Sequence, residues 1–304
     1  MLGSKVAQFA LIWWLTEQTG SATVLALASL VGLIPEIVLG PLAGAYVDRW
    51  NRRVVMIVAD TAIALASLGL AGLFWAGAIE VWQVYVILFL RSVGGSFHWP
   101  AMQSSTSLMV PQEQLTRVAG MNQTLNGLLN IFGAPLGALL MALLPLYGVM
   151  LVDVGTAALA IAPLFYVHIP QPKGQKAEQA VGEGQSIWAD MRDGLRYILS
   201  WPGLVVMTVA VMVLKVVLTP AFSLIPLMVK DHFGGGAAQL SLLEAVVGGG
   251  IVAGGLILSV WGGFHTKIYT TVLGAAGFSL AFLVWGVAPE TMFWVAVASG
   301  AVIG

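Results

Sequence analysis

Four acidic residues of this chain lie inside long apolar runs, where a carboxyl group can act as a proton carrier. A carboxyl group held away from water can bind and release a proton near neutral pH when its access to water changes. Glu36 follows Pro35 in the middle of its run and is our first candidate. Asp153 and Glu244 are further candidates, although both lie near one end of their runs and we expect them to reach water. Asp60 lies near an arginine cluster, and we expect it to pair with an arginine there.

Two basic residues also lie within apolar runs. An arginine in hydrocarbon costs roughly 2.5–3.5 kcal/mol on insertion scales, so Arg91 is expected to have a partner and to face the interior or water. Arg91 lies about half-way along its run, so snorkelling to an interface is the poorer explanation. His98, seven residues further on, shares its helix face. Lys215 is expected either to pair with an acid or to contact an anionic group of a substrate. The sequence does not choose between these partners.

A charged cluster, Gly44–Arg53, separates two of the apolar runs. Gly44 is expected to let neighbouring helices approach closely. Asp48 lies near a helix end, where a carboxylate can accept hydrogen bonds from the next helix or from an arginine. The cluster therefore predicts a polar latch that holds one conformational state, formed by Gly44, Asp48, Arg49, Arg52 and Arg53. A plain basic loop would explain the arginines but neither Asp48 nor Gly44.

Polar and aromatic side chains in two other runs are candidates for a substrate cavity. Asn122, Asn126 and Asn130 recur every four residues and share one helix face. They either line a cavity or form hydrogen bonds between helices, and the two readings are equally supported. Trp13 and Trp14 could contact a bulky ligand, although most tryptophans in such chains form interfacial belts.

The fifth apolar run also contains a helix-bending segment. Gly133, Pro135 and Gly137 follow the asparagines at close spacing. Proline and clustered glycine allow a helix to bend and to pack closely against its neighbours.

The composition is that of a membrane protein. The 304 residues are 59% hydrophobic and only 9% charged, whereas a soluble globular protein carries about 25% charged residues. The net charge of -1 argues against a nucleic-acid partner. The chain has no cysteine, and its four histidines lack metal-ligand spacing. No set of residues is spaced for catalysis, so we expect neither an enzyme nor a resident cofactor or metal.

The apolar runs predict transmembrane helices, each of which needs about 20 mostly apolar residues. The complete runs are Val24–Val47, Val54–Ala76, Val81–Met109, Val118–Leu144, Tyr147–Val167, Leu204–Val229, Leu240–Val260 and Ile268–Val287. Shorter runs, Val6–Leu15 and Met292–Ile303, lie at the two ends. We therefore expect an all-α membrane protein that is truncated at both ends.

The basic residues predict the orientation of the spans. If the Asp48–Arg53 loop lies in the cytoplasm, nine loop residues fall inside and only Lys230 falls outside. Those nine are Arg49, Arg52, Arg53, Arg117, Lys173, Lys176, Arg192, Arg196 and Lys267. This is a strong positive-inside bias.

A polar segment divides the chain into two parts. Ile169–Ser186 is rich in Pro, Gly, Gln and Glu and reads as a flexible linker, and Ile187–Leu199 has the pattern of an amphipathic helix on the cytoplasmic surface. We predict a six-helix bundle over residues 1–168, this linker over 169–199, and a partial second bundle over 200–304. Gly255–Gly263 faintly echoes the glycine spacing of Gly44–Arg53, which supports the division.

Several segments resemble the major facilitator superfamily, and specifically its drug-efflux branch of macrolide and enterobactin exporters. They are Gln8–Ala22, Gly40–Arg53 and Asp190–Leu204. The first and third point to the subgroup, and the second is fairly specific to the superfamily. Asn51 and Gly94 stand where the family usually has glycine and glutamine. The Gly133–Gly137 segment matches the antiporter motif of the fifth helix only in part.

The resemblance implies a twelve-helix fold of two bundles, of which this chain would carry about nine to ten helices. It implies proton-driven export of drugs, macrolides or siderophores, with Arg91 as a coupling residue and the proton gradient in place of a cofactor. We expect a monomer in the bacterial cytoplasmic membrane whose partners are a small molecule, protons and lipid. The alternatives are a proton-coupled uptake symporter and a truncated protein that does not transport.

Overall fold

A computed structural model of the protein describes residues 1–167, 169, 192, 196–197, 199–261 and 264–304. The described part consists of helices and contains no strand, which confirms the predicted all-α class. The ten long helices are α1 (Leu2–Thr19), α2 (Ala22–Arg49), α3 (Arg52–Trp75), α4 (Val81–Met109), α5 (Leu115–Leu143), α6 (Leu146–Leu164), α7 (Pro202–Ser223), α8 (Ala237–Trp261), α9 (Lys267–Val287) and α10 (Phe293–Ile303). One helical turn (Ile225–Leu227) and a π-helical turn (Met228–His232) follow α7.

Most of the long helices are long and apolar enough to cross a membrane. Seven of them in the described part meet both criteria, namely α2, α3, α5, α6, α7, α8 and α9. Their outer faces carry large apolar side chains, such as Leu159 and Val260, which are 76% and 90% exposed. Surfaces of this kind are unfavourable in water and favourable in lipid. The chain is therefore a multi-pass membrane protein.

The predicted bounds of the first helix are too short. The apolar run Val6–Leu15 lies inside a longer helix, α1, because the polar residues on either side continue the helical backbone. The helix ends where Gly20 adopts a left-handed conformation (φ 54°) and donates its N–H to the carbonyl of Thr16. The predicted linker and surface helix over 169–199 lie mostly outside the described residues.

The described helices pack as two compact units. The first unit comprises Met1–Ser21, Arg117–Asp153 and Ile225–Gly304, and the second comprises Ala22–Thr116 and Val154–Leu224. Both units combine helices that precede the segment 169–199 with helices that follow it. The predicted division into bundles over 1–168 and 200–304 stays a prediction.

In the second unit, α2 and α3 both pack against α4. A Cβ at Gly94 in α4 would lie 2.7 Å from Cγ1 of Ile63 in α3, so a side chain at this crossing would force Ile63 to shift. At the predicted cytoplasmic end, a small apolar core joins the ends of α2, α3, α4 and α6. Its buried residues are Val47, Val55, Met56, Ala101 and Ile169.

In the first unit, α10 packs against α8 and α9. Trp285 of α9 is buried and donates its Nε1–H to the carbonyl of Ala296 in α10 at 2.8 Å. Helix α5 lies against both α1 and α8 at glycines. Gly133 and Gly137 meet α1, and Gly127 meets α8. These glycines let the helix backbones approach each other closely.

Candidate functional site

An ion pair joins the middle of α2 to the middle of α7 in the second unit. Lys215 donates from Nζ to Oε1 of Glu36 at 2.8 Å, and the two side chains are 55% and 58% exposed. A charge exposed to lipid at mid-membrane is costly, so such groups nearly always face protein or water. This face of α2 and α7 is therefore expected to border a water-filled space. Of the partners that the sequence left open for Lys215, the structure selects an acid, Glu36.

A second set of polar contacts joins α3 to α4. The Arg91 guanidinium donates to Oγ of Ser67, so the arginine has the polar partner expected of a charge within a span. Seven residues further along α4, Nε2 of His98 lies 3.4 Å from Oδ2 of Asp60. The expectation that Asp60 pairs with an arginine is therefore wrong. Asp60 lies two turns into α3, away from the arginines at its start, and directly opposite α4.

The basic cluster forms the turn between α2 and α3 and contacts the end of α6. Asn51 caps α3, since its side chain accepts hydrogen bonds from the backbone N–H groups of Arg53 and Val54 at 3.1 and 3.4 Å. The Arg53 guanidinium donates to the carbonyl of Phe165, just after the last residue of α6. A cation there satisfies a free carbonyl and complements the helix dipole.

The other described members of the predicted latch differ in burial and packing. Arg52 is buried, and Arg49 is partly buried at the end of α2. The expected close packing at Gly44 is wrong, because a Cβ there would meet no atom within 4 Å. The side chain of Asp48 lies outside the described part. The latch role of Gly44, Asp48, Arg49, Arg52 and Arg53 stays a prediction.

Helix α5 places its asparagines differently from its glycines. Asn122 is exposed and Asn126 and Asn130 are half-buried, while Gly133 and Gly137 are buried against α1. The helix continues through Pro135 from Leu115 to Leu143. The glycines are therefore close-packing positions, whereas the substrate role of the asparagines stays a prediction.

The remaining cavity and proton candidates lie in the first unit. Trp13 and Trp14 are 4% and 8% exposed, so both pack inside the protein in this conformation. Asp153 is 1% exposed and accepts a hydrogen bond from Oγ of Ser4 at 3.1 Å. The expectation that Asp153 reaches water is therefore wrong, since Ser4 of α1 covers it. Glu244 does have an exposed side chain.

Two residues that the sequence analysis did not identify as site candidates organise the predicted outer end of the first unit. Lys230 donates from Nζ to the carbonyls of Thr16 and Glu17 at 2.9 and 3.4 Å, and so caps α1. His232 contacts the carbonyl of Ala288, at the end of α9, at 2.8 Å. Both belong to the π-helical turn, which no periodicity in the sequence indicated. Within the described residues, no three His, Asp or Glu side chains come together as a metal site.

Comparison with known proteins points to one family. A family profile described as Major Facilitator Superfamily matches residues 1–304. Macrolide efflux protein A of Streptococcus pyogenes is 32% identical over 304 residues, which are 100% of this chain and 74% of that protein. The protein of the same name from Enterococcus faecalis is 31% identical over 285 residues, 94% of this chain and 87% of its own length. Multidrug efflux pump Tap of Mycobacterium tuberculosis is 26% identical over 300 residues, 92% of this chain and 68% of the pump.

Proposed function

The chain belongs to the Major Facilitator Superfamily, and we propose that it exports macrolide-like small molecules across the cytoplasmic membrane in exchange for protons. It is a transporter with efflux proteins among its relatives, and members of this superfamily are in general not enzymes. The macrolide-like substrate class rests on the printed names of two relatives. The proton as driving ion rests on the residues of this chain.

The Glu36–Lys215 ion pair carries the proposal. Helix α2 precedes the segment 169–199 and α7 follows it, so the pair links the two predicted bundles by a bond that depends on charge. While Glu36 is ionised, the pair holds the two helices together. A proton on Glu36 removes one charge, and the attraction between the two helices is lost with it.

The expected size of this effect suits a switch. A partly exposed ion pair contributes up to about 1 kcal/mol, which changes the ratio of two conformations roughly fivefold. The pair can therefore bias the conformation without locking it. The same exposure gives protons access to the carboxyl group, which a dry pair would lack. Arg91 would support this exchange as a coupling residue, and the α2–α3 turn would hold one of the two states.

The test is proton-driven uptake of erythromycin into inside-out membrane vesicles, where export appears as accumulation. We expect wild-type vesicles with an acidic lumen to concentrate erythromycin, and a protonophore to abolish the gradient. The Glu36→Gln variant should respond less steeply to the proton gradient than wild type. Glu290→Gln, which removes an exposed acid between α9 and α10, is the matched control.

Each other outcome corrects a definite part of the proposal. Normal proton-driven accumulation by Glu36→Gln would show that Glu36 is not the carrier. Erythromycin that moves in the same direction as the protons would identify an uptake symporter. A chain that moves no erythromycin but exports other apolar cations would refute the macrolide-like substrate class.

A further inference from the structure

The sequence contains a repeated pair of a lysine and a glutamate. Lys5-Val6 precedes Glu36 by about 30 residues, and Lys215-Val216 precedes Glu244 by a similar distance. In both cases the glutamate is followed four residues later by a glycine, Gly40 or Gly248. The second set lies about 210 residues after the first, as does the echo of the basic-cluster glycines.

In the structure, a lysine from one copy of this repeat contacts the glutamate of the other copy. Lys215, from the second copy, binds Glu36, from the first copy. If the repeat extends to the contacts, Lys5 from the first copy should meet Glu244 from the second. Both of these residues belong to the first unit, where α5 packs against the helices that carry them. The residue of α5 that each one lies beside therefore gives its level along the helix axis.

Helix α5 brings Lys5 to a defined level. A Cβ at Gly133 would lie 3.1 Å from Cβ of Lys5, and a Cβ at Gly137 would lie 2.8 Å from the ring of Phe9. Four residues along α1 thus match four residues along α5, so the two helices run side by side in the same direction. Lys5 therefore lies at the level of Gly133.

The same helix places Glu244 at that level. A Cβ at Gly127 would lie 2.7 Å from Cγ2 of Val252, and one at Gly248 would lie 2.9 Å from the backbone carbon of Asn130. Helix α8 therefore runs antiparallel to α5, and one turn before Gly248 it reaches the level of residues 134–135 of α5. That position in α8 is Glu244, so it lies opposite the same turn of α5 as Lys5.

The helices α5 and α10 add few charges beside these two residues. Lys5 and Glu244 both have exposed side chains, and Lys5 lies within electrostatic range of the Glu244 carboxyl group. Asp153 contacts the residue that precedes Lys5, and it accepts a hydrogen bond there from Oγ of Ser4. Helix α5 carries no charged residue beyond Arg117, near its first turn, and α10 carries none.

We propose that Lys5 and Glu244 form a second proton-exchanging charge pair, the crosswise counterpart of Lys215 and Glu36. The proposal rests on the proposed function of the first pair. Each pair takes its lysine from one predicted bundle and its glutamate from the other, so each can report on the same rearrangement. The two pairs share the order and charge of their residues, but they do not lie at the same depth in the membrane. Glu244 lies nearer the end of its helix than Glu36 does. The transporter then has two carboxyl groups for protons instead of one.

The geometry can be tested without transport. The chain has no cysteine, so Lys5→Cys with Glu244→Cys gives a unique pair of thiols. With a protease site inserted in the segment 170–191, a short bis-maleimide should keep the two fragments together on a denaturing gel. Glu17→Cys with Glu244→Cys is the control, since residue 17 lies more than three turns further along α1. Equal cross-linking of both pairs, or of neither, would overturn the pairing.

Proton exchange is tested by the steepness of erythromycin accumulation in vesicles whose membrane potential is clamped. With two proton-exchanging groups, the slope of log accumulation against the pH difference should be about two, and Glu244→Gln should reduce it to about one. A purely structural pair would lower the rate without changing the slope. An unchanged slope in Glu244→Gln would therefore overturn the second site.

Charge reversal separates this proposal from the proposed function. Lys5→Glu alone should abolish accumulation, and Lys5→Glu with Glu244→Lys should restore part of it. Lys5→Glu with Glu36→Lys, which changes two residues of the same bundle, should not restore it. If wild type moves no erythromycin, the proposed function fails. If wild type is active and the reversal does not rescue, only this second pair fails.

Discussion

The crossing of α5 and α8 offers a test of the packing with a matched control next to it in the chain. A Cβ at Gly248 would lie 2.9, 3.0 and 3.1 Å from backbone atoms of Asn130 and Ile131. Backbone atoms cannot rotate away as a side chain can, so the helices must move apart. A Cβ at the neighbouring Gly249 would meet nothing within 4 Å. Gly248→Ala should therefore destabilise the protein relative to Gly249→Ala.

The comparison isolates the cost of crowding. Both alanines gain the same helix propensity, about 1 kcal/mol over glycine, and this gain cancels between the two variants. What remains is overpacking, which typically costs about 1–3 kcal/mol. The measurement is the free energy of unfolding in SDS titrations, followed by the fluorescence of the 11 tryptophans. If Gly248→Ala were as stable as Gly249→Ala, the inferred register of α5 on α8 would be refuted, and with it the level assigned to Glu244.

Two further predictions concern helix ends. Asn51→Ala should lower the free energy of unfolding by about 1 kcal/mol, because α3 loses its cap. Asn51→Gly should lower it by only a few tenths of a kcal/mol. Equal effects of the two variants in the same SDS titration would show that the cap contributes nothing. Lys230→Met should cost about 0.3–1 kcal/mol, because the last carbonyls of α1 lose their donor, while Lys230→Arg keeps a cation there. Exchange of the α1 backbone amides near Thr16 and Glu17 with deuterium should rise in Lys230→Met only, and a rise in both variants would contradict the proposed cap.

The helices could largely be predicted from the sequence because lipid imposes one simple requirement on each span. An apolar run of about 20 residues must be a helix, since no water is present to satisfy its backbone. The apolar run Val81–Met109 therefore matches α4 to the residue. The C-terminal end of α1 could not be found this way. It depends on Gly20 and on the cap by Lys230, which lies 214 residues beyond Thr16.

The partners of the charged residues could not be predicted for a different reason. Glu36 and Lys215 are separated by 179 residues, and no local periodicity relates two helices that far apart. Asp60 illustrates the error that follows, because the nearest arginines in sequence were chosen while the actual partner, His98, lies on the helix packed alongside. Likewise Asp153 lies close to a helix end, which suggested contact with water, yet Ser4 from the start of the chain covers it.

Two acid–base pairs among the described residues of the second unit differ in a way that bears on their roles. Asp60 and His98 are 19% exposed each and join α3 to α4, two helices of the same predicted bundle. Glu36 and Lys215 are more than half exposed and join helices of different predicted bundles. A polar contact persists best where water cannot replace either partner, so a pair that only stabilises packing is expected to be shielded from water. A pair that must take up a proton and then separate needs water and a weak bond. By this criterion Asp60–His98 is the structural pair, and Glu36–Lys215 is the pair suited to exchange protons.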